Sequence, residues 1–399
     1  MMSGEKYDSI NRGLLDASLV GFVGSMPVSI AFCQISLGVG WLAWLIMCWR
    51  EKRWLGHATG LDRALGLFLA ACALATVFSP QPLASLIGMK KFYLASGLYL
   101  TAYSCRSLAD IRKLLAVFLF FAALSGAYGL AMHLLGTQSR VTGTQTMALT
   151  AGGIFMMAGL VSSVLAFWGS AFTRWLTVPG SVLLLISLLF TQSASSLISF
   201  VAGLGTALAF SRRWRLLAAS AVALAAVAAI FLGMPSGKDS TVEIQKTNTW
   251  ELRKTIWSTG LRVIAERPVT GHGLVDLGGA YRRNRAPWDL ERDPWNAWNY
   301  GHLHNNFLQM AAISGMLGLA AFIFLLYRIT RTALRAARNP GLEAGSIGLA
   351  LAAAVIGFIV NGLAEWNFGD SEVVTILWFM AGLSVLVDRL TTVKQGAVS

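Results

Sequence analysis

The sequence predicts an all-α polytopic membrane protein with about twelve transmembrane helices and one large outer loop domain that contains short helices. Hydrophobic residues make up 55% of the 399 residues, only 13% are charged, and the mean hydropathy is +0.61. A soluble domain carries roughly 25% charged residues. The apolar residues also occur in stretches long enough for a helix to cross a bilayer.

Twelve apolar stretches between polar breaks are candidate spans. They cover residues 15–30, 33–49, 61–78, 86–104, 111–135, 146–168, 175–191, 195–211, 215–233, 305–327, 343–362 and 371–388. Residues 15–49 could instead form one span plus a re-entrant piece, and Lys90 and Lys91 interrupt the fourth stretch. The chain is thus divided into helices 1–9 (1–233), a loop domain (234–303) and helices 10–12 with a tail (304–399).

The basic residues orient these spans. With the N-terminus inside, 19 of the 32 Lys and Arg fall in inner connections, and the short outer connections hold only Lys90, Lys91 and Arg140. An excess of Lys and Arg is typical of cytoplasmic loops, so the inner connections are predicted to be cytoplasmic. The net charge of +13 therefore indicates topology and contact with anionic membrane lipids, and it requires no nucleic-acid partner.

The long outer segment contains a predicted amphipathic helix at residues 249–266, with Thr249 as its N-cap. Arg253 lies inside the apolar stripe of this helix, and Lys254 lies at its edge. Two interpretations of Arg253 are open. Its methylene groups could pack on the apolar stripe while the guanidinium extends to water or phosphate, or the guanidinium could belong to an anion site.

Two polar motifs surround the start of the tenth span. The stretch HLHNNFLQM places His302 and His304 on the outer side, as hydrogen-bonded anchors or as functional groups. The preceding turn RPVTGHGL (267–274) either cradles an anion with its amides or is a simple tight turn. Asp370 in the last outer loop suits an N-cap or an ionisable partner for a histidine or arginine.

These motifs resemble the signature of the O-antigen ligase and polymerase superfamily of bacterial envelopes. A Pro-x-x-Gly-x-Gly turn and a His-x-His-Asn-x-x-Leu stretch are matched by Pro268, Gly271, Gly273, His302, His304, Asn305 and Leu308. The family's loop arginine corresponds to Arg253, its arginine after the fifth span to Arg140, and its last outer-loop acid to Asp370. One element departs from the family, because Ala194 stands where an arginine is expected.

The resemblance implies a glycosyltransferase of the bacterial inner membrane with its active site facing the periplasm. The donor would be a glycan on undecaprenyl pyrophosphate, and the acceptor a sugar hydroxyl of lipid A-core. Arg and Lys can stabilise a pyrophosphate leaving group without a metal, and an imidazole is suited to deprotonate the acceptor. The expected reaction is an inverting displacement that uses no metal and no cofactor.

The resemblance also implies roles for individual residues. We expect His304 to act as the general base, with His302 as the second choice and Asp370 orienting a partner. The cations expected at the pyrophosphate are Arg253, Arg140, Lys254, Lys90 and Lys91. Lys90, Lys91 or Arg140 could supply the charge that is missing at Ala194.

Other functions remain open at this stage. An O-antigen polymerase is the first alternative and a protein O-oligosaccharyltransferase the second, and both would use the same class of donor. A transporter or flippase would need broken helices and charged groups at mid-membrane. Prolines within the spans are limited to marginal cases such as Pro27 and Pro179, and midspan charges are nearly lacking.

Overall fold

The computed structural model describes residues 4–212, 240–286, 301–339 and 341–396, and every regular element in these ranges is helical. The predicted all-α fold class is therefore confirmed. In chain order the elements are α1 (Gly4–Ser25), α2 (Ile30–Arg50), α3 (Asp62–Val77), α4 (Pro82–Gly88), a 3-10 helix (Met89–Ala95), α5 (Ser96–Ser104), α6 (Leu108–Leu134), α7 (Ala148–Trp168), α8 (Ala171–Phe190), α9 (Ala194–Phe210), α10 (Ser240–Glu266), α11 (Gly278–Asn284), α12 (Asn306–Ala337), α13 (Leu342–Asn361) and α14 (Ser371–Gly396).

Six helices of the described ranges are long and apolar enough to cross a membrane. They are Ile30–Arg50, Leu108–Leu134, Ala148–Trp168, Asn306–Ala337, Leu342–Asn361 and Ser371–Leu390. These helices indicate a multi-pass membrane protein. The count of twelve spans stays a prediction, and the candidate span at 215–233 lies outside the described residues.

The predicted fourth span, residues 86–104, is not one helix. The chain forms α4, then the 3-10 helix that contains Lys90 and Lys91, and then α5. An ammonium group is costly inside hydrocarbon, and Lys91 Nζ instead donates to the carbonyl of Gly369 at 3.0 Å. The two lysines thus lie at the break in the span, and Lys91 ties it to the loop before α14. Residues 15–49, by contrast, form two separate helices that pack on each other, α1 and α2.

Helices α7, α13 and α14 form the interior of the described structure, with 72–89% of their apolar windows buried. Small residues allow this close packing, as is common between membrane helices. A Cβ on Gly203 of α9 would lie 2.6 Å from the carbonyl oxygen of Ala353 in α13. Alanine at this position would therefore push α9 away from α13.

Helix α12 is kinked at Gly315, which has φ 65° and ψ −173°. The turn at residues 267–273 supplies hydrogen-bond partners at the kink. The amides of His272 and Gly273 each donate to an α12 carbonyl at 2.9 Å, and the Met316 amide donates back to the turn at 2.8 Å. Because these amides are already bonded, the turn is a structural joint rather than an anion cradle.

Replacing Gly271 with alanine is expected to destabilise this joint. Gly271 has φ +71°, and its Cβ would lie 2.6 Å from backbone atoms of α12. The left-handed conformation and the overpacking together should lower the free energy of unfolding by roughly 2–5 kcal/mol. Gly136→Ala is the matched control, because Gly136 has φ +73° with no atom within 4 Å of the added Cβ. Equal melting temperatures for the two purified variants would contradict a close-approach role for Gly271.

Candidate functional site

Helix α10 positions Arg253 at the candidate site. The helix begins at Ser240, so Thr249 lies inside it, and the prediction that Thr249 is the N-cap is wrong. Its end at Glu266 agrees with the prediction. The side chains of Ile256 and Val263 are almost fully buried, and Arg253 precedes Ile256 by three residues on the same helical face. Arg253 is therefore held on the packed face of α10, and its own side chain is only 16% exposed.

The backbone between the two histidines is fixed by contacts from two helices. The Leu303 amide donates to Gln309 Oε1 of α12 at 2.8 Å, and its carbonyl accepts from Trp257 Nε1 of α10 at 3.0 Å. The next residue, His304, has φ +48°, which is uncommon for a residue other than glycine. Such a conformation persists only where the surroundings hold it, and it is frequent at functional sites.

The two asparagines after His304 are structural. Asn305 caps α12 by accepting from the amides of Phe307 and Leu308 at 2.8 and 3.0 Å. The buried side chain of Asn306 donates to Asn367 Oδ1 at 2.5 Å and accepts from the Phe368 amide at 3.1 Å. These bonds attach the loop between α13 and α14 to the start of α12.

That loop brings the carboxylate of Glu365 into the centre of the site. Its Oε2 accepts from His304 Nδ1 at 3.3 Å, and its Oε1 accepts from Ser195 Oγ at 3.1 Å and is ion-paired with Arg253 Nη2. The Glu365 side chain is only 9% exposed. Burial acts to raise the pKa of Glu365, but the His304 hydrogen bond and the Arg253 charge outweigh it and lower that pKa. Glu365 is therefore a carboxylate at neutral pH.

The two histidines lie side by side, with ring centroids 4.3 Å apart. Burial lowers the pKa of His302 to about 3; the neighbouring His304 and Lys91 act in the same direction, and Glu365 acts to raise it. His302 is therefore neutral at physiological pH and is a weak base. His304 Nδ1 lies 3.3 Å from Glu365 Oε2.

The other predicted cations lie in different environments, and among them Arg140 interacts electrostatically with Glu365. Arg140 Nε donates to the carbonyl of Thr191, just before α9, at 2.8 Å. Burial lowers the pKa of Arg140 while the negative charge of Glu365 acts to raise it. Lys90 and Lys91 lie on the 3-10 helix, where Lys91 is within electrostatic range of His302. Lys254 is exposed on α10.

Asp370 lies among different partners. Its Oδ2 accepts from Thr150 Oγ1 at 2.6 Å, and its Oδ1 accepts from the Glu372 amide at 3.3 Å. Burial and the neighbouring Glu372 carboxyl raise the pKa of Asp370 to about 7. The carboxylate in contact with a histidine and an arginine is thus Glu365, five residues before Asp370 in the same loop, and the sequence analysis assigned it no role.

His272 and the acidic groups do not form a metal site in the described ranges. His272 is buried, and its Nε2 donates to the carbonyl of Val263 at 3.0 Å. Within the described residues, no group of three or more His, Cys, Asp or Glu side chains could hold a metal ion. His272 therefore belongs to the joint between α10 and α12.

Comparison with known proteins finds similarity over part of this chain. The model of a family described as O-antigen ligase matches residues 179–323. A Rickettsia conorii protein named as a polysaccharide ligase is 26% identical over 146 residues. That match covers 37% of this chain and 33% of the relative's length. The family match includes Arg253 and both histidines of the site.

Proposed function

We propose that the chain is a periplasm-facing glycosyltransferase of the inner membrane, and the match of residues 179–323 to the O-antigen ligase family supports this proposal. It transfers O-antigen polysaccharide from undecaprenyl pyrophosphate to a hydroxyl of lipid A-core. The contact of one buried carboxylate, Glu365, with both His304 and Arg253 carries the proposal. The carboxylate brings a histidine and an arginine together, and the proposed transfer from a pyrophosphate requires a base and a cation in one site.

In this proposal His304 is the general base. A hydrogen bond from Nδ1–H to Glu365 selects the tautomer whose lone pair lies on Nε2. Nε2 then takes the proton from the acceptor hydroxyl as its oxygen attacks the anomeric carbon. The Glu365 carboxylate stabilises the imidazolium that forms, as the carboxylate does in a hydrolase triad. Glu365 thereby takes the orienting role that the sequence assigned to Asp370.

His302 is less suited to this task. A pKa of about 3 means that its conjugate acid holds a proton weakly, which makes it a poor acceptor of the hydroxyl proton. Its ring lies against that of His304. We therefore propose that His302 positions the His304 ring.

The cations serve the leaving group. As the bond from the anomeric carbon to the phosphate oxygen breaks, that electron pair stays on undecaprenyl pyrophosphate, whose charge needs nearby donors. Arg253 carries five N–H donors and its ion pair with Glu365 engages one terminal nitrogen. Arg140 adds positive charge within electrostatic range of Glu365, and Lys91 does so within range of His302. Attack opposite the leaving group inverts the anomeric centre, and the mechanism calls for no metal.

Arg253→Ala is expected to lower the transfer rate roughly 10²–10³-fold, since one electrostatic donor is lost. The loss should appear in a purified assay with defined lipid-linked donor, lipid A-core and a chelator. Arg253→Lys should recover part of it. Lys254→Ala is the matched control on the same helix and should change the rate less than Arg253→Ala. Wild-type activity in Arg253→Ala would limit Arg253 to packing of α10.

An O-antigen polymerase is the alternative, since the same cluster could activate a hydroxyl of a second lipid-linked glycan. A lipopolysaccharide gel of a deletion strain separates the two. Loss of all long chains, with free lipid-linked polymer accumulating, supports the ligase. A single repeat unit attached to the core supports the polymerase.

A further inference from the structure

The end of helix α2 lies on the membrane face opposite the candidate site. Helix α14 starts directly after the Glu365 loop and runs to Arg389, whose guanidinium contacts the His57 ring at 2.7 Å. Nineteen helical residues span roughly 28 Å, about the thickness of a bilayer core. His57 belongs to the connection between α2 and α3, so this connection lies at the far face.

The connection has a fixed conformation at its start. Lys52 has φ +49°, its amide donates to the Trp49 carbonyl at 3.3 Å, and the Arg53 amide donates to the Cys48 carbonyl at 3.2 Å. The chain thereby reverses, and the Trp54 ring packs edge-on against the buried Trp44 with centroids 4.7 Å apart. Residues 48–54 form a built surface and not a loose tail.

This surface is a basic concavity that two tryptophans border. Its volume is about 790 Å³, and its lining residues are Leu45, Cys48, Trp49, Arg50, Lys52, Arg53 and Trp54. Trp49 is 80% exposed and Trp54 is 65% exposed. Rings this exposed fit the interface between headgroups and hydrocarbon, where tryptophan is enriched. Among residues 45–54 the acid is Glu51, which accepts from Arg53 at 2.8 and 3.0 Å, and the three basic residues leave this segment with a net positive charge.

The adjoining surface of α2 is apolar. Leu45, which lines the concavity, is 48% exposed, and Leu42, about one turn earlier in α2, is 59% exposed. An occupant must therefore combine a negative charge with a hydrocarbon chain. A phospholipid meets both conditions, because its phosphate suits Lys52 and Arg53 while its acyl chain continues along the leucines. A basic patch at this depth attracts anionic lipid in particular.

We propose that the concavity formed by residues 45–54 is a binding site for the headgroup of an anionic phospholipid. The phosphate lies against Lys52 and Arg53, and Trp49 and Trp54 contact the glycerol region. With the orientation that the basic residues predict, the lipid comes from the cytoplasmic leaflet. This site is independent of the glycan chemistry on the opposite face.

The test is lipid binding to the purified full-length protein, measured by native mass spectrometry with added phosphatidylglycerol or phosphatidylcholine. The wild type should bind phosphatidylglycerol more tightly. The double variant Lys52→Gln/Arg53→Gln should weaken that binding roughly tenfold to thirtyfold and leave phosphatidylcholine unaffected. The double variant Arg331→Gln/Arg338→Gln removes the same charge from exposed positions at the end of α12 and should bind like the wild type.

Three results would overturn the proposal. One is wild-type binding of phosphatidylglycerol by Lys52→Gln/Arg53→Gln. Another is an equal loss in both double variants, which would mean that only overall charge matters. The third is displacement of the lipid by excess inorganic phosphate, which would indicate a site for a free anion.

Discussion

Replacing His304 with alanine is expected to lower glycan transfer by about 10²–10⁴-fold, the usual contribution of a general base. The fold should survive, because Glu365 keeps its contacts with Arg253 and Ser195. His304→Asn is the sharper variant, since asparagine tolerates a positive φ such as the +48° at this position. Single-turnover transfer from a defined lipid-linked donor measures the effect, and a separate donor-binding titration should remain close to wild type.

The matched control for this prediction is His302→Ala. In the proposal His302 positions the ring of His304, so His302→Ala should lower the transfer rate less than His304→Ala does. Transfer at the wild-type rate by both His304 variants would remove His304 from the mechanism. A larger loss in His302→Ala than in His304→Asn would reverse the two assignments.

Replacing Glu365 with glutamine is expected to reduce both transfer and stability. Glutamine retains the shape of the side chain but leaves the buried Arg253 without its counter-charge, and breaking a buried pair costs about 3–5 kcal/mol. Transfer should fall because the amide no longer stabilises an imidazolium at His304. Glu266→Gln is the control, since Glu266 pairs with the exposed Arg283 at 3.3 Å and such surface pairs contribute about 0–1 kcal/mol.

The stability effect of Glu365 also has a predicted pH dependence. The pKa of Glu365 is lowered in the folded protein, so its stabilising contribution is fully present above the unfolded pKa of about 4.3 and is lost as the pH falls through the folded pKa. The melting temperatures of wild type and Glu365→Gln should therefore differ most at neutral pH and converge below about pH 4. Parallel melting curves from neutral to acidic pH would contradict the ionised, paired state of Glu365.

The sequence predicted the helical class and most helix positions, because the length of an apolar stretch is a local property. Motif spacing, also local, singled out His302 and His304 as candidates, and their roles stay predictions. It did not single out Glu365, since three acids share one polar loop and only tertiary packing decides which is buried. The 3-10 helix at Lys90 and Lys91 could not be predicted from local sequence, because Lys91 bonds to the carbonyl of Gly369, which is distant in the chain. The hydrogen-bond partners of the amides in the 267–273 turn could not be predicted from sequence, because these amides bond to α12 carbonyls at the kink near Gly315.

A double-mutant cycle on His304 and Glu365 tests the central claim most directly. The measured quantity is the single-turnover transfer rate of the wild type, His304→Asn, Glu365→Gln and the double variant at saturating donor. If the two side chains act as one base unit, the double variant should be about as slow as His304→Asn alone. Rate losses that simply multiply in the double variant would mean that Glu365 does not act through His304.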